Sequence, residues 1–196
     1  LMKFYQDYQG SIQIGQQELK DLSPNQVRQM ISYIPQDNTL FHGTLRENLL
    51  YGKNSGVSEE RLYDILEQLD LIKLVDELEK GIDTKISDSG TGLSEGQKQR
   101  FNIARAFMVD HPIYLLDEVT ASLDSVTESI ISKAIDKFTA GKTRLTIAHR
   151  LNTVREADYI LVLNKNGSVS DFGKHQQLIQ RNHLYNHFLS ELQAAG

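Results

Sequence analysis

The 196-residue chain, 39% apolar and 24% charged, is long enough for one α/β domain with its own core. Its net charge of −5 excludes a basic field that would recruit nucleic acid, and the absence of cysteine excludes a disulfide framework and thiolate metal sites. No run of about 18 apolar residues and no secretory leader is visible.

The opening Leu1-Met2-Lys3-Phe4 carries no initiator pattern and reads as cut from a longer chain. Gly10 to Gly15 alternates apolar and polar residues and predicts a short strand. Ser23-Pro24 predicts a helix to about Met30, with Ser23 as N-cap and Pro24 in the first helical position. Ile31 to Ile34 is β-prone and ends at Pro35-Gln36. Thr44 caps a short helix through Leu50. Ser58 starts another, with Leu62, Ile65, Leu66 and Leu69 at helical spacing. Gly90 to Gly92 is a glycine-rich linker, and Ser94 to about Val109 is helical. Ile113 to Leu116 reads as a buried strand and Val126 to Phe138 as a helix. Arg144 to Ala148, Tyr159 to Leu163 and Ser168 to Asp171 read as strands, and the tail from Lys174 as helix. Strands alternating with helices predict α/β architecture around a largely parallel sheet, with a helix-rich subdomain over about 44–109 inside a single domain spanning 1–196.

Four element ends carry polar groups. The apolar strand Ile113–Leu116 stops at Asp117-Glu118. In open α/β sheets ligands bind beyond the carboxyl ends of the strands. Neighbouring strand residues point opposite ways, so one acid could hold a hydrated Mg²⁺ and the other could orient or deprotonate a water. Such general-base help is typically worth about 10²–10⁴ in rate. The plain alternative is a strand ending in solvated acids followed by a helix cap. Leu93-Ser-Glu-Gly-Gln-Lys-Gln-Arg100 opens a long helix, with Ser94 and Gln97 spaced as a capping box. The same helix end, with small Gly96, free amides and a hydroxyl, is suited to a terminal phosphate. Thr146-Ile-Ala-His149 and Tyr33-Ile-Pro-Gln36 are further strands ending in polar residues, each unremarkable alone.

Taken in order, SYIPQDNTLFHGTLRENLLYG, LSEGQKQR, IYLLDE, ASLD and TIAHRL resemble the nucleotide-binding domain of ATP-binding cassette (ABC) transporters, a P-loop NTPase-like fold, over nearly the whole chain. LFHGTLRENLLYG resembles the exporter branch. The resemblance implies the cofactors ATP and Mg²⁺ and a role for each matching residue. Gln36 matches the glutamine that reaches Mg²⁺ and the attacking water. Asp117 matches the Walker B aspartate at the metal, and Glu118 the catalytic glutamate. His149 matches the switch histidine at the γ-phosphate. Ser94, Glu95, Gly96 and Gln97 fall in the signature motif, which binds ATP held by the opposite subunit, and Asp124 in the loop that crosses the dimer interface. Glu95 stands where the family usually has glycine; it is expected to point outward. Ser87-Asp88-Ser89-Gly90 keeps an acid but lacks the arginine that exporters often show there.

The phosphate cradle G-x-x-x-x-G-K-[ST] is missing. Gly141-Lys142-Thr143 does not supply it, because Asp136 stands at the earlier glycine position and the triplet follows a helix instead of a strand. The resemblance places the Walker A loop, with a central strand, just before Leu1. The expectation is an ATP-hydrolysing domain of a membrane exporter, at the cytoplasmic face of the cell membrane, joined to transmembrane helices in the same polypeptide and working with a second cassette. The 196-residue chain alone is expected to be inactive. The alternatives are a non-transport ABC ATPase, weakened by the acidic charge and the lack of a long coiled coil, an importer cassette, and a non-catalytic interaction fragment. No nucleic-acid partner is expected.

Overall fold

The computed structural model describes residues 1–5, 7–52, 56–87, 92–119, 123–148 and 150–194. The chain gathers into two compact units, Leu1–Val119 with Leu123–Thr146, and the residues from Ile147 onward.

The first unit opens on a hairpin. β1 (Gln13–Ile14) pairs antiparallel with β2 (Gln17–Glu18) around Gly15, whose φ of +61° is the left-handed value that a two-residue loop demands. The strand expected over residues 10–15 is thus shorter and is half of a hairpin. α1 (Pro24–Met30) starts at a reciprocal capping box between Ser23 and Gln26, with Pro24 where a missing N–H costs least. β3 (Ile31–Ile34) follows as expected.

The helix-rich stretch is held together by a small sheet that periodicity does not reveal. β4 (Gly43–Thr44) precedes α2 (Leu45–Leu49), α3 (Glu59–Gln68), α4 (Ile72–Glu77) and a 3₁₀ turn at Gly81–Asp83, and then β5 (Lys85–Ile86) returns antiparallel to β4. Thr44 and Ser58 cap α2 and α3. Leu62, Ile65, Leu66 and Leu69 are all buried, as their spacing predicts. Arg46 binds Asp83 at 2.8 Å and also pairs with Glu59, so one guanidinium joins α2, α3 and the 3₁₀ turn.

α5 (Glu95–Phe107) is the longest helix of this stretch and buries Phe101, Ile103 and Phe107 completely. The Phe107 ring lies 5.4 Å from Tyr114 and 4.9 Å from Phe138, joining α5 to β6 (Ile113–Asp117) and α6 (Ser125–Thr139). β7 (Thr143–Ile147) completes a three-stranded sheet of order β3–β6–β7. β3 and β6 run parallel, with Ile31 opposite Ile113 and Ile34 opposite Leu116. Parallel neighbours need a crossover connection, and the helical stretch provides it.

The second unit contains α7 (Leu151–Arg155), β8 (Ile160–Leu163), β9 (Val169–Gly173), α8 (His175–Arg181) and α9 (His183–Ala194). β8 and β9, both expected as strands, pair antiparallel with each other; the short link from Leu163 to Val169 cannot form a crossover. Val162 packs with Leu178, Tyr185 and Leu189, while Leu161 and Leu163 face outward. The helical tail is divided at Asn182, whose backbone ends α8 and whose side chain accepts from the Tyr185 amide at 2.8 Å to start α9.

Candidate functional site

The β6 sequence alternates so that Tyr114 and Leu116 are buried while Asp117 lies half-buried at the strand's carboxyl end. The next residue, Glu118, leaves the strand at φ +50°. A residue with a side chain is uncommon in this left-handed region, and such backbone strain gathers at functional sites. The β3–β6 register then decides what the two acids meet. Extending it by two residues from Ile34 opposite Leu116 brings Gln36 beside Glu118. Gln36 Nε2 donates to Glu118 Oε2 at 2.8 Å. Tyr33, one strand over, donates its hydroxyl to Asp117 Oδ2 at 3.0 Å. Partial burial raises the Tyr33 phenol above its ordinary pKa, and the bond to Asp117 adds to this, so Tyr33 remains a donor. The two acids therefore hold different partners.

At the other cluster, α5 opens with Ser94 as N-cap. Ser94 Oγ accepts from the Gln97 amide at 3.2 Å, and Gln97 Oε1 accepts from the Ser94 amide at 2.8 Å. Glu95 is turned outward and its carboxylate lies 2.7 Å from Lys98 Nζ, one helical turn along. Gly96 faces the start of α6. A methyl group built there would lie 3.9 Å from Thr127 Cγ2, an ordinary contact. Asp124 caps α6, accepting from the Val126 and Thr127 amides at 3.1 and 3.0 Å. These bonds, that of Thr127 foremost, hold its carboxyl below the usual aspartate range. Two helix N-termini thus meet, one carrying Ser94, Gly96 and Gln97, the other Asp124.

Two buried or half-buried polar residues join these clusters to the core. Gln99, on α5, donates its side-chain amide to the carbonyl of Val119, the residue after Glu118. Arg105, also on α5, donates to the Asn48 carbonyl at 2.8 Å and lies over the Phe41 ring, fixing the segment that follows Gln36. Burial lowers the Arg105 pKa. Sequence reasoning singles out none of Tyr33, Gln99 and Arg105. Only the strand register could have pointed to Tyr33, and nothing local marks the other two.

The donor set suits a hard cation. Asp117 offers a carboxylate oxygen, and Gln36, whose amide nitrogen is turned to Glu118, keeps its amide oxygen for a metal. Mg²⁺ is commonly held by one or two protein oxygens together with substrate phosphates and water. Among the described residues no three of His, Cys, Asp and Glu gather into a metal nest of their own. Gly141 and Lys142 link α6 to Thr143, the first residue of β7, and Lys142 is engaged by the Asp110 carboxylate and the Phe138 carbonyl. His149 and Asp88 lie outside the described residues. Among the described residues no helix is long and apolar enough to cross a membrane.

A family profile described as ABC transporter matches residues 1–121. The ABC transporter ATP-binding protein YwjA of Bacillus subtilis is 43% identical over 185 residues, covering 94% of this chain and 32% of its own length. A multidrug resistance ABC transporter ATP-binding and permease protein of Lactococcus lactis subsp. cremoris is 38% identical over 196 residues, covering 100% of this chain and 33% of its own. A solved bacterial Atm1-family ABC exporter with ATP bound superposes with a TM-score of 0.87 at 33% identity, covering 97% of this chain and 33% of that one. The chain spans about a third of the length of the curated relatives it matches.

Proposed function

The chain belongs to the ABC transporter family, and from that premise we propose that it is the nucleotide-binding part of an exporter that hydrolyses ATP to move a substrate across a membrane. The observation that carries this reading is the hydrogen bond of Gln36 to Glu118 beside Asp117, at the paired ends of two parallel strands. When bound, Mg²⁺ would neutralise charge on the phosphate oxygens. Asp117 and the Gln36 amide oxygen would hold it, with Tyr33 fixing the other Asp117 oxygen. Glu118 orients a water and takes its proton, and Gln36 steadies the Glu118 carboxylate in that position. By the family resemblance, His149 is the candidate partner of the terminal phosphate. Ser94, Gly96 and Gln97 of one copy face the nucleotide held by a second cassette, and Asp124 sits at that junction; Glu95 stays at its rim. Catalysis of this kind is mostly positioning and charge stabilisation.

Relatives that combine ATP-binding and permease parts in one protein support a transmembrane domain in the same polypeptide; in this reading the cassette works at the cytoplasmic face of the cell membrane. The segment around Gln36 to Phe41, pinned by Arg105, is the natural lever to such a domain. The test is Glu118→Gln in the full-length transporter: ATP should remain trapped on a closed pair of cassettes, with turnover reduced about 10²-fold or more. Wild-type turnover in that variant would remove Glu118 from its role and the reading with it.

A further inference from the structure

We propose that Gln99 is a positioning residue, which holds Glu118 in its reactive backbone pose and couples that pose to the helix end formed by Ser94 and Gly96. The inference rests on the reading of Glu118 given above. Glu118 is at φ +50°, a conformation that a residue with a side chain keeps only when its surroundings impose it. The imposing groups are on the next residue. The Val119 side chain is 4% exposed within the main core, and its carbonyl accepts from Gln99, whose own side chain is equally buried. Val119 is thus gripped at both its side chain and its backbone, which leaves Glu118 little freedom to swing away from Gln36.

Gln99 stands five residues into α5 from Ser94, about 7–8 Å along the axis. The same turn is anchored by Arg100, which donates to the carbonyls of Leu69 and Asp70 at 3.2 and 2.9 Å. This ties the first turns of α5 to the end of α3. When the opposite nucleotide draws in the Ser94–Gly96 end, the buried Gln99 amide carries the shift to the Val119 backbone and so to the Glu118 carboxylate. A displacement of about 1 Å at a reacting group costs on the order of 10²-fold in rate, so one such bond is enough to gate chemistry.

The experiment compares Gln99→Leu, Gln99→Met and Glu118→Gln in the full-length transporter. Steady-state ATPase kinetics, thermal melting and retention of ATP on the purified protein are measured for each. Gln99→Leu fills the space without a donor, and Gln99→Met does the same with an unbranched side chain nearer to glutamine in shape. Both should lose about tenfold to a hundredfold in kcat with KM for ATP within about twofold, and both should retain ATP. A purely structural role would instead lower the melting temperature and leave kcat per folded molecule unchanged. If Gln99→Leu fails to fold, Gln99→Met decides. Wild-type kcat in the folded Gln99 variants, alongside an inactive Glu118→Gln, overturns this inference alone. Full turnover by Glu118→Gln overturns both it and the reading beneath it.

Discussion

Gly96 has no steric reason of its own to be glycine. Its φ is helical, and a methyl group there would meet only Thr127 at 3.9 Å. Alanine in a helix is favoured over glycine by up to about 1 kcal/mol, so Gly96→Ala should leave the melting temperature unchanged or raised. In the full-length transporter the same methyl should intrude on what approaches the helix end from outside and cut ATPase activity by about tenfold or more. Unchanged ATPase activity in a well-folded Gly96→Ala protein would remove this end of α5 from the site. Asp117, Glu118, Gln36, Ser94 and Gln97 drew notice because each sits at or near the end of an element, and the roles proposed for them come from the family resemblance. Tyr33 and Gln99 were not. Tyr33 meets Asp117 across 84 residues of chain and Gln99 meets Val119 across 20, so their partners exist only once β3, β6 and α5 have assembled. The left-handed turn at Glu118 was likewise invisible, since glutamate carries no preference for it.

Elements were legible where their signals are local. Capping boxes at Ser23, Thr44 and Ser94, and the cap at Ser58, mark four helix starts within a residue of where the spacing puts them. β2, β4 and β5 are two residues long, too short for any periodicity to show, and form only through pairing. α4 and α7 are six and five residues long and lack a side-chain cap, so no start signal announces them. The helix α6 makes a testable case of a capped element. Asp124 accepts two backbone amides at its start, and its pKa is depressed in the folded state. A depressed carboxyl stabilises above its unfolded pKa and loses that contribution as pH falls through the folded value. The stabilising effect should therefore be complete above about pH 4, the ordinary aspartate range, and should fade below it. Asp124→Asn keeps an acceptor that does not titrate in this range. Melting curves of the two proteins should converge on acidification, with the wild type ahead only above that range; parallel pH profiles would show that the cap carries no charge-dependent weight.

At the scale of the whole chain the parallel sheet core, the helix-rich stretch and the family were legible together, because ordered motifs sample many elements at once. Tyr159–Leu163 and Ser168–Asp171 were legible as strands, but that they pair with each other and turn Leu161 and Phe172 outward was not, since pairing exists only in the assembled chain. That outward face has a consequence for the 196-residue polypeptide taken by itself. Tyr159 stacks on Phe172 with centroids 5.3 Å apart, and both rings, with Leu161 opposite Phe172, stand more than half exposed. In the other unit, Leu145 of β7 is also more than half exposed. Contiguous exposed apolar surface and open strand edges drive self-association. The sequence also holds no G-x-x-x-x-G-K-[ST] cradle, and the nearest lysine of that type, Lys142, is engaged by Asp110 and Phe138. In the role proposed for them, Glu118 and Gln36 would position a water only against a phosphate that something else holds. The purified 196-residue chain should accordingly associate as its concentration rises, and release no phosphate from ATP above a Glu118→Gln control. Light scattering and a phosphate-release assay on the same preparation check both halves. Monodisperse monomer with steady, Glu118-dependent hydrolysis would mean that this chain grips the triphosphate through groups other than a phosphate loop.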